Sequence, residues 1–111
     1  MHVLFAIASL VFVAASNAAL AQDEGPKIRR PDPKTGLVLA QRWCASYHVV
    51  VSGQSSAVDG VAPFESVARR ADFNEDKLAF FLLHPHPVMP NMSLSRDEAR
   101  DIAAYIAQLK K

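Results

Sequence analysis

The chain has 111 residues, half of them apolar, with 12 basic and 11 acidic side chains and a formal charge of +1. That length limits it to one small domain, and the near balance of charge excludes a broad electrostatic footprint for nucleic acid or an anionic membrane. The single cysteine excludes an internal disulfide, so the thin core of so small a domain would gain most from a metal or prosthetic group.

The first element in chain order is a leader. Residues 1–21, MHVLFAIASLVFVAASNAALA, contain no Asp, Glu, Lys or Arg and end in Ala19-Leu20-Ala21, the small-x-small pattern that signal peptidase cuts. Polar sequence follows at once and the apolar run is short for a span. The reading is therefore a cleaved export signal with Gln22 as the new N-terminus, a periplasmic location and no stable membrane insertion. Residues 22–34 are charged and interrupted by prolines, which predicts a flexible arm ahead of a domain over 35–111.

Asp32 can cap a helix that has Pro33 at its first position and runs through KTGLVLAQRWCASYH. Gly36, Ala40 and Trp43 share one face of it, with Leu39 beside them. A glycine inside a helix costs about 1 kcal/mol against alanine, so Gly36 is either a tolerated weakness or a point of close backbone approach. Residues 51–63 read as a loop, and FESVARR after Pro63 as a short helix. Asn74 caps the next helix, with Glu75 and Asp76 in its first turn and the apolar run LAFFLL behind them. His84-Pro85-His86-Pro87 stops it. Ser95 and Glu98 have capping-box spacing ahead of a stripe of Ile102, Tyr105, Ile106 and Leu109, and Lys110 and Lys111 suit the C-terminal end of the dipole. No strand pattern appears, so the expected fold is all-α.

The chemistry centres on Cys44-Ala45-Ser46-Tyr47-His48. Cys-x-x-Cys-His attaches haem through two thiols that add to its vinyl groups, and the histidine then reaches the iron. Here Cys44 and His48 keep the one-turn spacing, but Tyr47 cannot form a thioether. Met89 and Met92, downstream in a proline-rich stretch, each offer a soft neutral ligand, although methionine is more often a gap-filling hydrophobe. Blander readings exist for each group: Cys44 as a small buried residue, His48 as a helix cap. His84 and His86 could ligate a metal with Cys44, but proline-flanked histidines without an acidic partner more often serve turns. The FFLL run is apolar core in any reading, and Arg69 and Arg70 are either solvated or paired with a haem propionate.

From Thr35 to Leu109 the chain resembles a small bacterial class I cytochrome c, on the segments TGLVLAQRWCASYH, GVAPF and VMPNMSLSRDEARDIAAYIAQLK. The resemblance implies three main helices and a short one wrapped around one haem. It implies that Gly36 and Ala40 cross Tyr105 and Ile102 of the last helix, and that the Pro63 carbonyl orients His48. It also implies that Met89 rather than Met92 is the distal iron ligand. The function implied is that of an electron carrier, not an enzyme, shuttling single electrons between periplasmic redox partners. Tyr47 departs from the family motif, which leaves haem c held by a single thioether through Cys44, or haem held without a covalent link. Two other roles fit the same residues: an accessory cytochrome subunit of a periplasmic oxidoreductase, and a haem-free degenerate cytochrome acting as a binding subunit.

Overall fold

A computed structural model of the chain describes residues 11–16, 25, 27–84 and 89–110. Among these residues the elements are four helices, α1 (Pro33–Trp43), α2 (Phe64–Ala68), α3 (Glu75–Leu82) and α4 (Arg96–Gln108), with no strand beyond an isolated bridge residue at Met89. The all-α expectation of three main helices and a short one holds. Of the leader, residues 1–10 and 17–21 lie outside the described residues, and 11–16 are exposed coil. No helix among the described residues is long and apolar enough to cross a membrane.

Helix α1 starts where the sequence places it. The Asp32 carboxylate accepts from the Lys34 N–H at 3.0 Å and from the Thr35 hydroxyl at 2.8 Å. The Thr35 bond, then the Lys34 bond, hold that carboxyl below its ordinary pKa, so the cap is lost only on acidification. The helix does not run on to His48. It stops at Trp43, with Cys44 as its cap and both the Cys44 and Ala45 N–H groups donating to the Ala40 carbonyl, at 2.8 and 3.1 Å. Trp43, the last residue of α1, is 40% exposed, with the Arg42 guanidinium 4.9 Å from its ring centroid.

Helix α4 is the axis of the core. Its capping box is complete: the Glu98 N–H donates to Ser95 Oγ at 3.1 Å, and the Ser95 N–H to Glu98 Oε2 at 2.8 Å. Ile102, Tyr105 and Ile106 are buried against Ala40, Val50, Phe64 and Ala68. Gly36 sits at the crossing of α1 and α4. A Cβ built there would overlap the Asp101 carbonyl oxygen and lie 2.9 Å from Tyr105 Cβ, so the glycine is required by close backbone approach.

The arm is less free than its composition suggests. Asp101, 1% exposed, accepts from the Asp32 N–H at 2.7 Å and from Arg29 Nη2 at 2.8 Å. Arg100 adds a bond to the Arg29 carbonyl at 3.1 Å. The expected boundary at residue 35 therefore falls inside a segment already tied to α4 from Arg29 onward. Asp101→Asn would keep an acceptor for one donor but turn amide hydrogens toward the other. It should cost about 2 kcal/mol, read as a lower urea midpoint with an unchanged slope. An unchanged midpoint would show that the buried carboxylate holds nothing.

Candidate functional site

The C-terminal end of α1 delivers Cys44 and His48 to one cavity. After α1 ends, the Tyr47 and His48 N–H groups both donate to the Cys44 carbonyl, at 3.0 and 2.9 Å. This turn preserves the one-turn relation between Cys44 and His48 without a continuing helix. Both residues line a cavity of about 460 Å³, within the roughly 300–1,000 Å³ of small-molecule and cofactor sites. Phe64, Phe73, Leu78, Leu82 and Ile106 supply its apolar wall.

His48 is oriented from behind. Its Nδ1 lies 2.6 Å from the Ala62 carbonyl oxygen and its ring is 5.1 Å from that of Phe64. Nδ1 bears the proton in that bond, which leaves Nε2 as the nitrogen with a lone pair for a metal. The carbonyl is not that of Pro63, contrary to expectation. The Pro63 carbonyl accepts from the Val67 N–H at 3.1 Å and starts α2. The reason is local: a residue that caps a helix turns its carbonyl along the helix axis, so the preceding carbonyl is the one left for the imidazole.

Met89 lines the same cavity, whereas Met92 packs against the main core with Leu94 and Leu109. The two methionines, indistinguishable by residue type, thus occupy different environments. Cys44 is 3% exposed, and burial pushes its thiol up to about 11, so at neutral pH it is protonated rather than a thiolate. Tyr47 is 41% exposed and does not line the cavity. Tyr47 thus stands outside the cavity that Cys44 and His48 line.

Charged residues ring the mouth. Arg70, Asp72 and Lys77 line the cavity and are exposed, so its rim reaches solvent. Arg69 is turned away, paired with Glu65 at 2.6 Å. Lys77 escaped the sequence reading because nothing in one-dimensional spacing connects α3 with residue 70. The FFLL run divides: Phe81 and Leu82 line the cavity, while Phe80 is exposed, its ring 4.3 Å from that of His84. His84 Nδ1 lies 2.8 Å from the Phe80 carbonyl oxygen, the position of a helix C-terminal cap. His86 lies outside the described residues, among which no three His, Cys, Asp or Glu side chains are grouped to hold a metal ion.

An apolar cavity that presents a carbonyl-oriented imidazole, a thioether and a buried thiol, with cations at its mouth, fits a haem. Arg70 and Lys77 supply the cations at that mouth, beside Asp72. No family model and no solved structure matches the sequence. The chain is 54% identical over 101 residues to a protein of Bradyrhizobium diazoefficiens named cytochrome c-552, an alignment that covers 91% of this chain and 88% of that one.

Proposed function

The chain belongs to the cytochrome c family, and on that premise we propose that it carries single electrons on one haem whose iron is held by His48 and Met89. Its function is electron transfer rather than catalysis. The observation that carries the ligand assignment is that Cys44, His48 and Met89, distant in sequence, line a single apolar cavity that does not include Met92.

Bound haem supplies the one-electron ferric/ferrous couple, and the chain's side chains set the conditions for it. The Ala62 carbonyl fixes the His48 tautomer and leaves the Nε2 lone pair for the metal. The Met89 thioether, soft and neutral, favours the reduced metal. The wall of Phe64, Leu78 and Ile106 keeps water from the centre, and Phe81, half-exposed on the cavity rim, lies where a redox partner would touch. Cys44 contributes one thioether. Residues 1–21 direct export, which makes the partners periplasmic redox proteins met through small, short-lived contacts.

Absorption spectroscopy tests the assignment. The purified, haem-loaded protein should show a Soret band and, when ferric, the weak red-edge band of methionine ligation. Met89→Leu should lose that band and lower the potential, while Met92→Leu should keep it at a modest stability loss of about 1 kcal/mol. The reverse pattern would overturn the choice of methionine, and a chain without a Soret band the whole reading.

A further inference from the structure

Gln54 belongs to the loop that follows the Cys44–His48 turn, and polar loop residues ordinarily face water. This one is half-buried and turned back on the turn itself. Its Nε2 lies 2.9 Å from the Ala45 carbonyl, 2.7 Å from that of His48 and 2.8 Å from that of Ser56, while Oε1 accepts from the Val50 N–H at 3.0 Å. Three carbonyls share two amide hydrogens. Two of them, Ala45 and His48, lie beyond the end of α1, where no helical donor remains.

The surrounding backbone is fastened in the same manner. The Tyr47 carbonyl accepts from the Val58 N–H at 3.1 Å and the Val49 carbonyl from the Phe64 N–H at 3.0 Å. The Val50 carbonyl accepts from the Tyr105 hydroxyl. Gln54 alone among these groups acts on His48 through a side chain, and on both sides of it. In a Cys-x-x-Cys-His site the second thioether pins the residue next to the histidine. Here that residue is Tyr47, exposed and unlinked.

We infer that Gln54 is a positioning residue that clamps the Cys44–His48 turn and holds His48 on the iron in place of the missing second thioether. The inference rests on His48 being an iron ligand. It gives the hydrogen bonds of Gln54 to both sides of His48 a task in a chain with a single cysteine, and it predicts that Gln54 and a second cysteine are alternatives for that task.

The test uses haem-loaded protein with Gln54→Leu and Gln54→Glu, each in the native chain and with Tyr47→Cys. In the native chain Gln54→Leu should speed amide exchange at Tyr47 and His48 about tenfold, the equivalent of one net hydrogen bond, and move the paramagnetically shifted His48 ring protons. Gln54→Glu keeps the bond to Val50 but faces three carbonyls with a carboxylate, so its effect should be at least as large. Tyr47→Cys should return both readouts toward native values. If Gln54→Leu does not fold, Gln54→Asn, one methylene short, gives the same readouts. Unchanged exchange and unchanged His48 shifts would overturn the clamp while leaving haem binding intact. So would equal acceleration with and without Tyr47→Cys, which marks ordinary loop stabilisation. A chain that takes up no haem overturns the functional reading and the clamp together.

Discussion

Gly36→Ala is expected to destabilise the protein by about 3 kcal/mol or more, the upper range for overpacking a core. For a domain of this size that is a fall in melting temperature of roughly 12 °C or more. The sign is the informative part. At an ordinary helical position the same change would gain up to about 1 kcal/mol, because alanine is the better helix former. Here the added methyl would overlap the Asp101 carbonyl oxygen and press on Tyr105 Cβ, and backbone cannot give way as a flexible side chain can. Relief requires α1 and α4 to separate. That movement would strain the contact of Asp32 with buried Asp101 and the Tyr105 hydroxyl bond to the Val50 carbonyl. The His48 turn, two residues before Val50, would loosen with it, so haem retention should fall alongside stability. Thermal denaturation followed by helix signal and by Soret absorbance would check both, and a Gly36→Ala protein as stable as the native one would remove the tight crossing from the account.

Much of this architecture is legible in the sequence because it is written in local patterns. Asp32-Pro33, Asn74 and Ser95 with Glu98 announce three helix starts through side-chain bonds that span only two or three residues. The stripe through Ile102 and Ile106 announces the buried face of α4 through its period. What stays hidden depends on contacts with no period and no fixed separation. Asp101 reads as one more solvated charge in a polar helix, and only the arm folding back over α4 makes it the buried anchor of Arg29. Trp43 follows helical spacing, yet at the last position of α1 it is 40% exposed. Ala62 carries no side-chain chemistry at all; its carbonyl matters because Pro63 begins a helix. That Cys44, His48 and Met89 belong together was legible from their types, and the backbone that orients His48 was not.

Tyr47→Cys is expected to raise the melting temperature and the retained haem together. With Cys44 alone, one thioether forms when its S–H adds across a single vinyl group, and acid-acetone should leave haem on the chain while Cys44→Ala releases it completely. The native side chain at 47 is exposed and does not fill the cavity, so a cysteine there displaces nothing that lines it. A second link closes a short loop between two points on the chain and also stops any residual dissociation. By analogy with short-loop crosslinks this should stabilise by about 2–3 kcal/mol, or roughly 10–20 °C. Alkaline titration of the native protein supplies an independent readout. A free Cys44 thiol has its pKa raised on folding from 9.0 to about 11, so the stabilisation it brings is complete below pH 9 and is lost as pH rises toward 11. A thioether has no proton to lose. The Tyr105 hydroxyl, its own pKa raised by burial, weakens every form over the same range, so Cys44→Ala is the reference. Native protein that loses no more melting temperature through that window than Cys44→Ala, and keeps haem in acid-acetone, carries the link at Cys44. Native protein that weakens more than Cys44→Ala and surrenders its haem carries a free thiol, and Tyr47→Cys should then gain more still. Equal melting temperature and equal haem retention in the two forms would mean that position 47 has no part in holding the cofactor, and that Cys44 and His48 suffice.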